Sequence, residues 1–183
     1  MAGPQILSFG GKTPLVDPAA FVAPGAQLIG DIEIGPEASI WYNCVLRGDV
    51  NRIRVGARSN IQDGSVIHVD SPKPGNGEGL PTLIGEDVLI GHLAMVHGCI
   101  LHDRAFVGLG SIVMDGCVIE SDAMLAAGAM LTPGKRIPSG QLWAGRPARY
   151  VRDLTPQELA GSQAGVAHYV ALAKAHSAAL SLR

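Results

Sequence analysis

The sequence of 183 residues is poor in aromatic residues, in charges and in cysteine. Phe, Trp and Tyr together make up 4% of the chain, and the four charged residue types make up 16%. Since the formal net charge is −2 and no basic patch is visible, we expect no nucleic-acid partner. Cys44, Cys99 and Cys117 are an odd number without the spacing of metal ligands, which indicates buried, reduced thiols.

Long apolar runs are also missing from the sequence. The segment MAGPQILSFGGK lacks the basic start and the apolar run of a signal peptide, and no stretch approaches the length of a membrane span. We therefore expect a cytoplasmic protein without a membrane partner. Glycine and proline, in contrast, are abundant with 24 and 12 residues, and this indicates a chain with many turns.

An aliphatic residue recurs every six positions through most of the chain. An α-helix would need spacings of three and four, and a half-buried strand would need a spacing of two. A period of six predicts an all-β solenoid, a parallel β-helix in which each hexapeptide forms one side of a triangular coil. The recurring residues, expected to point inward, are Val22, Leu28, Ile34, Ile40, Leu46, Val55, Ile61, Ile67, Ile84, Ile90, Val96, Leu101, Val107, Val113, Ile119, Leu125, Leu131 and Ile137. Small residues expected beside the corners usually follow four positions later: Ala26, Ala38, Cys44, Ser59, Ser65, Ala94, Ala105, Ser111, Cys117, Ala123 and Ala129.

The period is interrupted once by a long insertion and ends before the terminal segment. Residues 70–81, DSPKPGNGEGLP, contain no recurring aliphatic residue and are dense in Gly and Pro, which predicts an external loop. The period stops after Ile137. We therefore assign residues 1–150 to the solenoid and residues 151–183 to a terminal segment.

The terminal segment predicts one α-helix, over residues 156–180. Thr155 is suited to the N-cap, Pro156 to the first helical position, and Glu158 stands three residues after the cap, as in a capping box. We expect this helix, which is rich in Ala and Leu, to pack along one face of the coil or across a subunit contact.

Two histidines are predicted to lie in one column of the solenoid. Three hexapeptides make one coil, so positions three steps apart in the period stack on the same face. His68 follows Ile67 and His97 follows Val96, three steps apart once the loop is discounted, with adjacent rungs about 4.8 Å apart. The two imidazoles are then close enough to share a metal ion. Arg47 occupies the rung below His68.

His92 is predicted to lie on a neighbouring face and to point away from that column. A second copy of the chain would bring its own His92 to the column, through a heterologous contact that closes naturally into a three-fold ring. Three histidines with one open position are the ligand set of a catalytic zinc site. His102, His168 and His176 fall outside this arrangement, and we expect them to be solvated or interface residues.

Polar residues cluster around the same places. LRGDVNRIRVG supplies Arg47 and Asp49, and NIQDG supplies Asn60, Gln62 and Asp63. Each has an ordinary interpretation, since Asp and Asn cap turns and Arg47 fits a surface cation. Gln62 and Asp63, however, share the face of His92 and would cross the same interface, where an Arg47–Asp63 pair between subunits and contacts that orient the metal ligands are expected.

These motifs together resemble the gamma-class carbonic anhydrases and their bacterial relatives. The resemblance rests on RGD, on NIQDG followed by a histidine, on IGH with HGC five residues behind it, and on LWAGRPAR. It implies a left-handed β-helix that forms a homotrimer with metal sites at the subunit interfaces. It implies also that His68 and His97 come from one subunit and His92 from the next, with Zn²⁺ as the metal, although three imidazoles suit Co²⁺ or Fe²⁺ as well. The residues that it assigns to the interface and active site are Arg47, Asp49, Asn60, Gln62, Asp63 and, from the terminal helix, Tyr169.

The implied reaction is the reversible hydration of carbon dioxide to bicarbonate. Zinc lowers the pKa of bound water to about 7 and so supplies hydroxide at neutral pH. The sequence departs from the archaeal enzymes of the family at the step that carries the proton away. Those enzymes have a glutamate where this chain has Val50, and they have a glutamate-bearing acidic loop as proton shuttle, where the segment SPKPGNGEG of this chain offers only Glu78.

Two other functions remain open at this point. Many hexapeptide β-helices are coenzyme A-dependent acyltransferases that use a histidine as general base, and a thioesterase-like enzyme belongs to the same alternative. Histidines bound to a metal are unavailable as bases, which argues against both. The other alternative is a trimeric scaffold that keeps the metal and is catalytically weak, and Val50 together with the altered loop favours it.

Overall fold

The computed structural model describes residues 3–75 and 77–182. Short strands alternate with turns through residues 5–153, and one helix follows them in the described range. The strands are β1 (Gln5–Leu7), β2 (Leu15–Val16), β3 (Phe21–Val22), β4 (Gln27–Ile34), β5 (Ser39–Ile40), β6 (Val45–Val55), β7 (Asn60–Ile61), β8 (Val66–His68), β9 (Thr82–Ile84), β10 (Leu89–Ile90), β11 (Met95–His97), β12 (Ile100–Leu101), β13 (Phe106–Val107), β14 (Ile112–Val113), β15 (Val118–Ile119), β16 (Met124–Leu125), β17 (Met130–Leu131), β18 (Arg136–Ile137), β19 (Gln141–Ala144) and β20 (Arg149–Asp153), and the helix is α1 (Pro156–Ser181).

The strands form the three sides of a triangular prism. The long strands β4 and β6 each span two sides. Their first halves belong to the first side, together with β1, β8, β11, β14 and β17, and their second halves belong to the second side, together with β2, β9, β12, β15 and β18. The third side contains β3, β5, β7, β10, β13, β16, β19 and β20. Neighbouring strands pair in parallel, apart from the antiparallel pair β19–β20. The prediction of a left-handed parallel β-helix is confirmed.

The six-residue period is the period of the core. Leu28, Ile40, Leu46, Ile61 and Ile67 have no exposed surface, and the other recurring residues from Ile84 to Ile137 are buried as well. Burying such a side chain contributes about 1.5 to 3 kcal/mol. The stack of these side chains along the axis therefore holds the coils together.

The small residues of the period are buried at the corners, as predicted. Two serines there replace lost hydration with hydrogen bonds to the next rung: Ser59 Oγ donates to the carbonyl oxygen of Gly85 at 2.7 Å, and Ser65 Oγ donates to that of Gly91 at 3.0 Å. The three cysteines are free and buried, which confirms the prediction of reduced core thiols. Burial raises the pKa of Cys44 to about 11, so this thiol is unreactive.

The period stretches to nine residues between Leu46 and Val55 because β6 bulges outward against β4. The two strands pair in register up to Gly30 and Gly48, and pairing resumes at Ile32 and Ile53. Gly30 has φ +83°, and a Cβ atom there would lie 2.4 Å from the carbonyl oxygen of Gly48. Only glycine therefore fits at this crossing, and the bulge projects residues 49–52 from the corner between the first and second sides.

The segment between β8 and β9 contains no strand within its described residues, as expected for the predicted loop 70–81; Asn76 lies outside them. The loop closes on itself, since the backbone N–H of Asp70 donates to the carbonyl oxygen of Leu80 at 2.9 Å, and that of Leu80 donates back at 3.2 Å. Asn51 Nδ2, in the β6 bulge, donates to the carbonyl oxygens of Asp70 and Glu78. Bulge and loop are thus neighbours on one corner.

The helix α1 begins with the predicted capping box of Thr155 and Glu158 and packs along the third side of the prism, where Val166 and Ala173 are buried. Of the three remaining histidines, His102 and His168 are exposed as expected, but His176 is half-buried. Its Nδ1 lies 2.8 Å from Tyr42 Oη, and its ring packs edge-on against Trp41. The expectation of a solvated or interface residue is wrong for His176, because it anchors α1 to its own chain.

The strands β19 and β20 follow Ile137, where the six-residue period stops. Because β20 crosses residue 150, the division into residues 1–150 and 151–183 stays a prediction. Within residues 3–75 and 77–182, no helix is long and apolar enough to cross a membrane.

Replacing Gly30 with alanine should destabilise the fold more than the same change at Gly128. Both glycines have positive φ, which costs about 1 to 2 kcal/mol for alanine. At Gly30 the new Cβ also collides with backbone, which adds about 1 to 3 kcal/mol, whereas nothing lies within 4 Å of it at Gly128. Urea unfolding of both variants measures the difference, and equal losses would show that the crossing of β4 and β6 is not tightly packed.

Candidate metal centre

The paired-histidine half-site consists of His68 and His97, at the ends of β8 and β11. The two residues are direct neighbours in the ladder, so the column predicted from the period is present. His68 Nδ1 lies 3.0 Å from His97 Nε2. Two nitrogens bound to one tetrahedral zinc ion at about 2.0 to 2.1 Å lie about 3.3 Å apart. The spacing of this pair therefore fits two ligands of one metal ion.

A carboxylate lies behind each of these imidazoles. His68 Nε2 is 3.0 Å from Asp49 Oδ1, and His97 Nδ1 contacts Asp115 Oδ1. Because a carboxylate only accepts, the outer nitrogens donate to it, and in neutral imidazoles the lone pairs are then on the nitrogens that face each other. Histidines that bind metals are commonly held by carboxylates in this way. Arg47 completes the row through an ion pair with Asp49.

The charges around Asp49 and His68 favour an ionised carboxylate beside a neutral imidazole. Burial opposes ionisation of Asp49, but hydrogen bonds from His68 and Arg47 outweigh it and hold the pKa of Asp49 below its usual value. Burial lowers the pKa of His68, with further lowering by the charges of Arg47 and His97, against the hydrogen bond to Asp49 that raises it. A neutral imidazole is the form that binds a metal.

The single-histidine half-site lies at the other end of the first side, on the corner after β10. His92 Nδ1 is 2.8 Å from Asp63 Oδ2, one rung below. Leu93 follows with φ +58°, and its side chain is 73% exposed. Gly64 and Gly110 have the same left-handed backbone at this corner in the coils below and above, so the conformation belongs to the regular turn, and the exposed leucine side chain is what sets this rung apart.

Asn60, Gln62 and Tyr169 belong to the same side of the molecule as His92. Gln62 Nε2 donates to Asn60 Oδ1 at 3.0 Å, and both side chains are buried. Asn60 Nδ2 is buried and has no hydrogen-bond partner among the described residues. The ring of Tyr169 packs edge-on against Trp41, with centroids 5.4 Å apart. Burial, and then the negative charge of Asp63, raise the pKa of Tyr169, so its hydroxyl remains protonated near neutral pH.

The two half-sites do not meet within one chain. In the part of the chain that the structure describes, no three His, Cys, Asp or Glu side chains are grouped to hold a metal ion. Arg47 is bound to Asp49 and Asp63 to His92, so the Arg47–Asp63 pair between subunits stays a prediction. Within the described residues the two half-sites are therefore separate groups of side chains.

Asp115 is the site residue that the sequence reasoning missed. It lies in the next coil, one position beyond Met114, which is the coil equivalent of His97 because Val96 pairs with Val113. The motifs examined did not include the residue, and an aspartate before glycine in the segment MDGC is typical of a turn. Only the stacking of side chains shows that it faces a histidine.

Comparison with known proteins places the chain in a family. No family model matched it. It is 49% identical over 166 residues to gamma carbonic anhydrase 2, mitochondrial, of Arabidopsis thaliana, with 91% of this chain and 59% of that protein covered. It is 41% identical over 155 residues to a carbonic anhydrase of Geobacillus kaustophilus, with 85% and 81% covered. The chain belongs to the gamma carbonic anhydrase family.

The same fold is found in a hexapeptide transferase family protein from Anaplasma phagocytophilum. This solved structure has a TM-score of 0.87 and 47% identity, and the match covers 93% of this chain and 97% of that one. The identification as a gamma carbonic anhydrase family member is confirmed. The chain spans about three fifths of the length of the Arabidopsis relative.

Replacing Asp115 with asparagine should weaken metal binding by about 10- to 100-fold, because carboxylates that orient metal-bound histidines have effects of this size. Asp17→Asn is the control, since that carboxylate accepts from the backbone N–H of Ala19 and contacts no histidine. Competition with a chromophoric chelator measures both affinities in this gamma carbonic anhydrase family member. Equal affinities for the two variants would exclude a role of Asp115 in holding His97.

Proposed function

We propose that two copies of this chain share each metal ion, with His68 and His97 from one subunit and His92 from the next, in a homotrimer that catalyses reversible hydration of carbon dioxide to bicarbonate. The observation that carries this proposal is the division of the site into two half-sites. A donor pair held by carboxylates and a single histidine beside Asp63 occupy opposite ends of one side of the prism. A contact between two different surfaces joins them and closes into a ring.

Exposed apolar side chains beside both half-sites support the assembly. Leu93 follows His92 directly, and Leu109 lies one rung above His92 and is 51% exposed. Met95, two residues before His97 in β11, is 41% exposed. Apolar surface grouped around polar ligands is typical of a protein–protein contact.

Three imidazoles and one open position form a site that suits zinc. When bound, zinc supplies hydroxide at neutral pH by lowering the pKa of water to about 7. The chain contributes the orientation of the ligands: Asp49 and Asp115 fix the two rings of the pair, and Asp63 fixes His92. Ferrous iron and cobalt fit the same ligands, and selection among the three depends partly on availability.

The remaining site residues bind the substrate and carry the proton. Gln62, oriented by its hydrogen bond to Asn60, holds carbon dioxide or bicarbonate from the His92 side, and Arg47 faces it across the interface. Val50 is apolar and cannot transfer the proton to solvent. Glu78 transfers it, because Asn51 Nδ2 binds the backbone carbonyl of Glu78 at 2.9 Å and so holds this residue next to the bulge that carries Asp49.

Metal content and hydration kinetics test the function directly. Protein purified without oxygen should contain one metal ion per subunit and hydrate carbon dioxide in a stopped-flow assay. His92→Ala should lose the metal and fall to the uncatalysed rate while circular dichroism shows the same β content. His102→Ala, which replaces an exposed histidine outside both half-sites, should keep metal and rate. A wild-type protein that is fully loaded with metal but has no hydration activity would contradict the enzymatic function and indicate a metal-binding scaffold.

Mixed trimers test the sharing of ligands between subunits. His68→Ala and His92→Ala subunits each lack one ligand, but an interface that pairs the intact His92 of the first with the intact His68 of the second is complete. Random mixing in equal amounts restores about one quarter of the interfaces, since each neighbour is drawn independently. Metal analysis of refolded mixtures measures this fraction. Mixed trimers without restored metal would contradict shared ligation.

Acyl transfer is the second candidate function. The Anaplasma phagocytophilum structure, 47% identical to this chain, is that of a hexapeptide transferase family protein. In that case a histidine acts as general base, and the activity survives chelation of the metal. Consumption of acetyl-coenzyme A by chelator-treated protein distinguishes the two functions.

The cytoplasmic location also stays a prediction.

A further inference from the structure

A second pocket adjoins the paired-histidine half-site on the corner between the first and second sides. The β6 bulge forms one wall with Asp49, Val50 and Arg52, and the turn after β1 forms the other with Phe9 and Lys12. Phe9 and Lys12 are joined by two backbone hydrogen bonds of 2.9 and 3.0 Å, which fix the turn. The pocket has a volume of about 210 Å³. One water molecule needs about 10 to 15 Å³ of such volume, so the pocket has room for a small solvated ion.

The carboxylates of this pocket are bound by cations. Asp31 is bound by Arg54 Nη1 at 2.7 Å, and the same guanidinium binds Glu33 at 3.2 Å. Asp49 is bound by Arg47 and by His68. Neither carboxylate is therefore free to repel an anion at full charge.

The cations of the pocket are not neutralised to the same degree. Lys12 Nζ lies 4.0 Å from Asp31, and its side chain is 68% exposed. Arg52 is exposed and forms no ion pair within residues 3–75 and 77–182. The unmatched charge of the pocket is positive.

The wall beside these cations is apolar. Phe9 is 51% exposed and Val50 is 42% exposed, both at the pocket. Apolar walls reduce the local screening by water, so that a charge in the pocket interacts more strongly with Lys12 and Arg52 than it would on an open surface. This combination selects a small, compact anion.

We propose that this pocket binds a small monovalent oxyanion and, resting on the proposed function, that the anion is bicarbonate. Asp49 connects the pocket to the site, since it lines the pocket with one face and accepts from His68 Nε2 at 3.0 Å with the other. Bicarbonate formed at the paired histidines meets the two cations on its way to solvent, and bicarbonate that approaches is concentrated beside the site. Arg52 and Lys12 act on binding and do not touch the metal.

Bicarbonate titration of the full-length protein, with metal removed by a chelator, tests the pocket without requiring catalysis. Backbone amide signals of Gly10, Val50 and Arg52 are followed by NMR at fixed pH and ionic strength, with chloride as the reference anion. The expected result is a saturable shift with bicarbonate that chloride does not produce. Arg52→Gln should weaken the binding about three- to fivefold, the effect of one exposed ion pair, and Lys12→Gln with Arg52→Gln should remove saturation.

Arg149→Gln is the matched control, because Arg149 is another exposed arginine, and among residues 3–75 and 77–182 its side chain bonds only to the carbonyl of Ala148. It should bind bicarbonate like the wild type. Equal shifts with bicarbonate and chloride, or an unchanged affinity for bicarbonate in Arg52→Gln, would contradict the proposed binding of bicarbonate in this pocket. In the metal-loaded enzyme, inhibition of hydration by bicarbonate should weaken in Arg52→Gln by the same factor as binding.

The two proposals fail separately. If the protein binds bicarbonate at Gly10 and Arg52 but does not hydrate carbon dioxide, the anion pocket is supported and the enzymatic function is contradicted. If the protein is an active hydratase whose amide shifts do not depend on Arg52, the enzymatic function is supported and the anion pocket is contradicted.

Discussion

Inward-pointing aliphatic side chains, one from each hexapeptide, close every coil of the solenoid and stack on those of the coils above and below. This stack fixes the register, because a shift by one residue would turn the aliphatic side chains outward and bury polar ones. Outward-facing residues one coil apart are then held at the spacing of a parallel sheet, about 4.8 Å. Two imidazoles can therefore be brought to the distance of a metal chelate by backbone pairing alone.

Carboxylates refine what the backbone spacing provides. An imidazole on a strand end rotates about two bonds, and Asp49 and Asp115 remove this freedom from His68 and His97 by accepting from their outer nitrogens. The carboxylates are themselves held, as Asp49 is by Arg47. The same arrangement recurs where Asp63 binds His92. The side chains of each half-site are thus ordered within the single chain.

The departures from the period add side chains beside the histidines that the regular coils carry. A strict hexapeptide coil presents flat sides, and it has no concave surface for a substrate. The β6 bulge and the loop 70–81 break the period on one corner, and Asn51 joins them through its hydrogen bonds to Asp70 and Glu78. This corner therefore acquires a pocket, an acidic side chain and two cations beside the paired histidines. The hydrophobic core continues beneath both departures.

The period of the sequence determined the coil, its three sides, the buried small residues and the column of His68 and His97, because side-chain burial repeats strictly with the backbone. The capping box determined where α1 begins, since its interactions are local. Tertiary structure alone decided that Asp115 faces His97, that Gln62 is held by Asn60 and that His176 anchors α1 to Tyr42. Those contacts join side chains from different coils or elements, and their rotamers depend on every neighbour, which spacing along the chain does not encode.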